Sequence, residues 1–570
     1  MTASASTTKR QACEILRAQI ENERSSFSSH WRDLSDHILP RRGRFFLSDQ
    51  NKGDKRNHKI IDSTGTMAAR TLRSGMMAGV TSPARPWFRL GFSDPEISEI
   101  PNVKEWLNTV ETRMRNVFAR SNLYKNLPIV YGDMGVFGTA CMFVEEDMDT
   151  VLTFTTFPVG SYGFSCDKAG RPRVWFRDFQ MTVRQVVEEF GMIDGDPNQI
   201  DWTNISASVK SMWETNQRES WVDICHIVKP NPHHNPKLLG SKYKKFGSYY
   251  YERGQQGGNS QNNTGEQFLS EKGFEYFPVL IPRWEVTAGD SYGTNCPGMT
   301  ALGDIKQLQV GEKRSAQAIE KMINPPMVGH SSLRNAKASI LPGDITYVDD
   351  KDARQGFRPA HEINFNIEPL ERKQEQVRER VRRAFFEDLF LMLAQSDGRM
   401  TATEVIERKE EKLLALGPVL EQIDQDLLDP LIDITFLVME RQNLLPEAPE
   451  EIQGSEIKVE YISIMAQAQK LAGIGNIERF VGFVGQLSAL KPEALDNLDA
   501  DEAVAIYGDL VGAPLKVVKA RDRVEKEREA RAAAQQQQAQ LEQASAAVDA
   551  AQSLSQTSMD KGTALGQLLG

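Results

Sequence analysis

Apolar side chains recur at three- and four-residue spacing over residues 8–38, where Leu16, Ile20, Phe27, Trp31, Leu34 and Ile38 share one side of an amphipathic helix. Pro40 stops that helix, and "PRRGRFF" follows as an irregular basic segment. A second helix starts at Asp62 or Ser63, either of which suits an N-cap, and carries Ala68, Leu72, Gly75, Met76 and Gly79 at helical spacing. Small residues on one face predict close approach by a neighbour. "TSPARPWF" ends the helix, because a residue ahead of proline is pushed out of helical geometry. Residues 102–126 repeat the helical pattern, and so does the Gly-rich apolar run behind them.

From about 141 to 290 the period shortens to two. "TVLTFTTFPV", "RPRVWFRDFQMT", "ESWVDICHIVKP" and "SYYYER" read as strands, with "DKAG" as a turn and "GQQGGNSQNNTGEQ" as a polar hairpin loop. After residue 297 the helical period returns. "GMTALGDIKQLQVGEKRSAQAIEKMI" is a long helix closed by "NPP", and a small non-helical module containing "ILPGDITYVDD" occupies 325–366. A second long helix follows, with Val377, Val381, Ala384, Phe385 and Leu389 on one side and mixed charge on the other. "AQSDGRM" interrupts it. Thr401 and Glu404 then stand at capping-box spacing and start a helix that runs to about 443, with kinks expected at Pro418 and Pro430. Residues 456–515 read as further helix, whereas the Ala-, Gln-, Glu- and Arg-rich stretch 516–555 fits either helix or disorder.

At 570 residues the chain exceeds one hydrophobic core and should fold as several domains. Its formal net charge of -10 argues against a surface that grips nucleic acid everywhere, since such grip needs clustered Lys and Arg. The start of the sequence shows no apolar signal region, and the most apolar tract, "IVYGDMGVFGTACMFV", is broken by Asp133 and too short to span a bilayer. Five scattered cysteines without a CxxC pair predict neither a disulfide framework nor a zinc site. The expectation is a soluble product of a reducing compartment, without a membrane role.

Reactive chemistry is sparse. The Gly-containing stretch 63–88 lacks the GK[ST] ending of a phosphate loop, and "GTNCPGMT" at 293–300 has Met299 where the lysine belongs and Pro297 inside. Close packing and tight turns are the preferred reading for both. His233 and His234 sit in a proline-flanked loop without a Cys or carboxylate at ligand spacing. Cys225 and His226 are neighbours on a strand, so their side chains point to opposite faces. The acidic pairs Glu145–Glu146 and Asp349–Asp350 fall at a strand end and a turn, where solvated surface accounts for them. No GxSxG or HExxH occurs. The expectation is therefore no catalytic residue, no metal, no cofactor and no enzyme.

The order of helix, small module, helix, short loop and long helix carries a resemblance. So do "FSSHWRDLSDHILPRRGRF", "IIDSTGTMAARTLRSGMMAGVTSPARPWFRL", "GTACMFVEED", "SYGTNCPGMTALGDIKQLQVGEKRSAQAIEKMINPPM", "GRMTATEVIERKEEKLLALGPVLEQIDQDLLDPLI" and "YISIMAQAQK". Over roughly residues 10–515 the chain resembles the portal, or head-to-tail connecting, proteins of short-tailed double-stranded DNA bacteriophages. That resemblance implies an α+β, mostly helical portal fold with wing, stem, clip and crown, assembled as a cyclic homo-oligomeric ring of about twelve copies, a dodecamer. On this sequence it implies a wing at 1–299, stem helices at 300–324 and 367–393, a clip at 325–366 and a channel loop at 394–400. A long wing helix at 401–455, a crown at 456–519 and a C-terminal tail at 520–570 complete the division.

The implied partners are double-stranded DNA in the channel, the terminase large subunit, tail adaptor proteins, and the major capsid and scaffold proteins. The implied location is the portal vertex of the virion, after synthesis in the host cytoplasm. Ser396, Gly398 and Arg399 are the channel candidates, with Arg399 either a DNA contact or an ion pair between subunits. Arg334, Lys337, Lys351, Arg354 and Arg358 form a clip cluster that faces DNA or acidic partners, and partner docking is preferred. Mixed charge on the stem helices suits ion pairing between subunits. Another virion ring protein, such as a tail adaptor or capsid component, is the alternative reading, and a motor subunit of DNA processing is disfavoured by the missing phosphate loop.

Overall fold

The protein is described from a computed structural model that covers residues 8–47, 53, 55–92, 94, 97–98, 100–193, 196–238, 240–254, 268–323, 327–328, 358–359, 368–394, 416–452, 457–462, 465, 480–487, 491, 498–499, 501–504, 524 and 527–537. The chain divides into two compact units. Unit 1 comprises 1–90, 109–447 and 459–469, and unit 2 comprises 91–108, 448–458 and 470–570. Helix and strand are both present, with helix the larger share of the described residues.

Unit 1 opens with α1 (Lys9–His37), whose N-terminus is closed by a reciprocal capping box between Thr8 and Gln11. Helix α2 (Thr64–Val80) follows, and Ser63 occupies its N-cap without a side-chain hydrogen bond. The capping acceptor is instead Asp62, whose Oδ1 takes the Thr64 N–H at 2.8 Å. Of the two expected caps, the carboxylate does the bonding and the serine holds the position. After β1 (Phe88–Phe92), residues expected to run as one helix over 102–126 form two, α3 (Pro101–Arg120) and α4 (Leu123–Phe137). The break falls at Ser121–Asn122, where the Asn122 side chain turns away to bond both the N–H and the C=O of Phe154. A side chain that competes for distant backbone stops the helix, a cost local periodicity does not reveal.

The strand-rich part is built from two antiparallel sheets. β2 (Cys141–Asp147) and β3 (Val151–Phe157) pair as a ribbon that β11 (Val279–Leu280) extends. The second sheet runs β10-β9-β8-β5-β4, from β4 (Tyr162–Cys166), β5 (Pro172–Thr182), β8 (Trp221–Pro230), β9 (Phe246–Glu252) and β10 (Ser270–Phe274). A short pair, β6 (Met192–Ile193) with β7 (Asp196–Ile200), stands apart. One face of the five-stranded sheet lies under α1, with Cys13 and Ile20 packed on Phe176, Cys225, Ile227 and Tyr251. The other face is shared. The ribbon covers one end, Phe143 meeting Trp175 and His226 at 5.3 and 5.6 Å between ring centres. Two helices that the strand pattern had hidden, α5 (Val183–Phe190) and α6 (Ala207–Glu214), cover the other end through Val186, Val187 and Val209.

His226 is buried, stacked 3.8 Å from Tyr250, and bonded through Nε2 to Ser248. Burial, aided by the nearby Arg177, pushes its pKa well below the ordinary histidine value, so it packs as a neutral aromatic ring. Cys225 belongs to the α1 side, so the two neighbours do face apart as expected.

The remaining helices of unit 1 are α7 (Pro297–Ile323), α8 (Glu368–Ala384), α9 (Glu387–Ala394) and α10 (Asp429–Arg441). The expected single helix over 368–393 is thus two, separated by Phe386, which takes a left-handed φ of 55°. Ahead of α10 the chain forms a π-helical segment, Asp424–Leu428, just before Pro430. A proline removes one i→i−4 hydrogen bond, and a π-turn is a common way to absorb the loss. In unit 2 the helix over residues 480–487 leaves Phe480, Phe483 and Leu487 exposed and buries Val484, while Arg528 holds Asp501 through two nitrogen–oxygen contacts of 2.5 and 2.6 Å.

Candidate functional site

Helix α2 is the hub on which the helical part of unit 1 converges, and its small residues make that possible. A Cβ built on Gly75 would lie 2.1 Å from the Phe390 ring, and one on Gly65 would lie 2.8 Å from Ile305. On Gly79 it would lie 2.7 Å from Met465. Real Cβ atoms do not come that close, so a side chain at Gly75 must displace Phe390, whereas at Gly65 and Gly79 the ends of the Ile305 and Met465 side chains must give way. The second glycine-bearing segment behaves alike. Gly293 and Gly298 press on the backbone of Gly138 and Val136, and Pro297 opens α7. At these glycines both segments are filled by neighbouring side chains or backbone.

Helices α7 and α8 lie side by side, joined to α2 by polar side chains. Gln309 of α7 accepts hydrogen bonds from the Ile61 and Asp62 N–H groups at 2.6 and 2.8 Å, and returns one to the Asp62 carbonyl at 2.9 Å. Arg378 of α8 donates to Asp62 Oδ2 at 2.9 Å and also pairs with Glu312 and Glu375. Burial pushes the Asp62 carboxyl up, but hydrogen bonds from Thr64 and Arg378 outweigh it and hold the carboxyl below its ordinary value. Beyond this knot lie Arg380–Asp304 at 2.7 Å, Arg382–Glu375 at 3.0 Å and Arg383–Glu379 at 2.6 Å. Part of the mixed charge on these two helices thus has partners inside one chain.

Burial fades along α7. Leu302, Ile305 and Leu308 are buried, Ser315 is the last buried residue, and Ile319, Met322 and Ile323 end the helix exposed, Ile323 at 79%. Three apolar side chains left exposed among the described residues at the end of a long helix mark a surface suited to contact. The bracket of the pair is the two-residue ladder Met327–Val328 against Arg358–Pro359. Arg358 is opposite Val328 in that ladder, and its side chain lies outside the described residues, as do Arg334, Lys337, Lys351 and Arg354. Ser396, Gly398 and Arg399, together with the acidic pair Asp349–Asp350, also lie outside them.

Two features near α10 escaped the sequence pattern. Arg283 and Asp426 form a bidentate pair at 2.9 and 3.0 Å with only 4% and 8% of their side chains exposed, and Arg283 also bonds the Gly170 carbonyl at 2.8 Å. Close by, burial together with Asp429 and Glu421 pushes the Asp424 carboxyl up to about 7. Residues 143 positions apart leave no periodic trace, and only the odd Asp-x-Asp on an otherwise apolar helical face offered a signal. Among the described residues no group of three His, Cys, Asp or Glu gathers as metal ligands, and no helix is long and apolar enough to cross a membrane. His234 spends its Nδ1 on the Tyr243 carbonyl, and Glu146 pairs with Arg441.

Known proteins match this chain over most of its length. The portal protein of Salmonella phage epsilon15 is 46% identical over 549 residues, 96% of each chain. A probable portal protein of Bordetella phage BPP-1 is 40% identical over 548 residues, covering 96% of this chain and 95% of its own. A solved structure, the neck of an empty GTA particle computed with C6 symmetry, covers 84% of this chain and 98% of its own at 10% identity and a TM-score of 0.33, too slight to argue from. Residues 10–518 match the bacteriophage head to tail connecting protein family, to which this chain belongs.

Proposed function

We propose that this chain is the subunit of a phage portal, a closed ring of about twelve copies at one capsid vertex through which double-stranded DNA enters and leaves. The observation that carries this reading is the 46% identity, over 96% of both chains, to a protein named as a portal. In this reading residues 300–324, which hold most of α7, and residues 367–393, which hold α8 and most of α9, are the stem, 325–366 the clip, and residues 394–400 the channel loop. The strand-rich part, α1, α2 and the 401–455 segment form the wing, with the crown and tail after 456. The clip cluster Arg334, Lys337, Lys351, Arg354 and Arg358 docks first the terminase large subunit and later a tail adaptor, while the rim meets capsid and scaffold proteins. The protein then works as a virion component at the head–tail junction and makes or breaks no bond.

The physical logic is that a conduit must not hold its cargo. Phosphate contacts bind tightly at low salt, so a net charge of -10 with few isolated arginines near the path favours sliding. Electron microscopy of the purified protein tests the ring: a central hole with a flared body and narrow stem is expected, and a monomer at every concentration overturns it. Arg399→Ala separates two roles of the channel loop. Loss of DNA retention in filled heads supports a DNA contact, whereas weakened rings with normal retention assign Arg399 to a subunit interface.

A further inference from the structure

One cleft of unit 1 has no place in the roles above. It opens between α1, the loop at 43–47 and β5, and encloses about 870 Å³. Five arginines but only two carboxylates, Glu21 and Asp178, line it, in a chain that is acidic overall. Both carboxylates are occupied, Glu21 by Arg24 at 2.5 Å and Asp178 by Arg17 and by Arg253 at 3.3 Å. Arg44 is exposed, and Arg177 is clamped between Phe157 and Phe179 with its guanidinium carbon 4.3 and 3.9 Å from the ring centres. The Arg177 Nε is buried without a hydrogen-bond partner, and neither arginine forms an ion pair among the described residues. Exposed Phe46 and half-exposed Trp221 complete the wall. Arginine and aromatic side chains together in a concave site are the composition of protein-contact hot spots.

A matching feature sits on the same ribbon whose Phe157 end lines the cleft. The β2–β3 turn, Asp147–Thr150, holds Met148 out into solvent, 96% exposed, between Asp147 and Asp149. The turn is pinned, because Asp147 Oδ2 accepts from both the N–H and the hydroxyl of Thr150, at 2.9 and 2.7 Å. An apolar side chain offered on a rigid acidic tip is what an arginine- and aromatic-lined cleft recognises, the thioether against rings and the carboxylates against guanidinium groups. From Phe157 to Val151 the ribbon spans about 20 Å at the usual strand rise. Cleft and tip therefore lie at opposite ends of one ribbon, which is the arrangement a head-to-tail contact requires.

We infer that the acidic tip at Met148 of one copy seats in the Arg44–Arg177 cleft of the next, an inter-subunit lock in the wing. This rests on the ring reading, and the tests separate the two. In the full chain carrying Phe46→Cys and Met148→Cys, mild oxidation should give a ladder of cross-linked oligomers that neither single variant gives. Arg44→Glu and Asp149→Arg should each raise the concentration needed for ring formation about tenfold, and the double swap should restore it to within about threefold, as charge-pair coupling predicts. Wild-type rings without a ladder, or with a fast-migrating cross-linked monomer, overturn the lock and leave the ring standing. A wild type that never assembles removes both. Arg44→Glu that weakens binding of a short DNA duplex but leaves assembly and ladder unchanged makes the cleft a nucleic-acid surface and overturns the lock too.

Discussion

Arginine–carboxylate pairs hold two regions of unit 1, and they mean opposite things in each. Beside the β-sheets, Arg283 and Asp426 are almost fully enclosed, and the guanidinium also serves a backbone carbonyl. Along α7 and α8, Arg380–Asp304 and Arg383–Glu379 lie in water, with the Arg380 and Arg383 side chains 47% and 67% exposed. Desolvation makes the first pair costly to break, whereas solvent screening makes the second nearly free to exchange. The sheet region is built to keep one shape. The helical pair is tied to α2 at Asp62 and carries its outer charges in solvent-exposed pairs.

The comparison fails first if the enclosed pair proves cheap. Asp426→Ala leaves Arg283 buried with the Gly170 and Ser291 carbonyls and the Cys166 sulfur as its remaining acceptors. Unfolding free energy should fall by about 3–5 kcal/mol, the cost of an orphaned buried charge. Replacing both partners by Met and Leu should recover most of it. A loss below about 1 kcal/mol in urea unfolding of Asp426→Ala contradicts the desolvation argument.

Gly75→Leu comes next, and probes whether the helical part also has a point of fixed shape. With its first carbon already 2.1 Å from Phe390, the side chain must displace α9. A loss of about 3 kcal/mol is expected in thermal unfolding, at the upper end for overpacking. If Gly75→Leu melts within about 1 °C of the parent, α9 does not pack as described.

How much of this was legible beforehand depends on whether the signal was local. Helix α1, the strands β5, β8 and β9, and the buried face of α2 follow from spacing alone, because each buries one continuous stripe. The breaks at Asn122 and Phe386 did not, since the first is caused by Phe154 on a distant strand and the second by a left-handed turn that no local sequence rule demands of a phenylalanine. Helices α5 and α6 were lost because their eight-residue lengths hide inside a strand-rich stretch. The polar knot of Asp62, Gln309 and Arg378 was invisible for the same reason as Arg283–Asp426: hydrogen bonds between distant residues leave no period. The sequence marks Asp62 only as a cap, and it is one, but it is also where α8 is tied down.

A third substitution tests the burial argument through pH. Asp424 has a carboxyl held near 7, above its unfolded value near 3.8, by burial and by Asp429 and Glu421. A raised carboxyl binds its proton more tightly in the folded state, so this group destabilises the fold above pH 7. The penalty shrinks as pH falls through 7 and is gone below the unfolded value. Asp424→Asn should therefore gain about 1–2 kcal/mol at pH 8, after discounting for partial exposure, and nothing at pH 4. An equal effect at both values would assign the change to shape instead of charge.

The smallest effect is the most pointed. Arg380→Ala removes both contacts to Asp304, yet both groups stand in water and neither is left buried when the other goes. The melting temperature of the monomer should barely move, and raising salt should leave even that difference smaller. A loss as large as that of Asp426→Ala would mean that the outer charges of α8 are as essential as the buried pair, and the contrast between the two regions would collapse. Should the same substitution leave the isolated chain unchanged but weaken the assembled ring, Arg380 and Asp304 would be exchanging partners across the subunit boundary. Solvent screening alone then explains how one charge ladder serves within a chain and between chains: pairs that cost little to break are free to re-form with a neighbour as the helices shift.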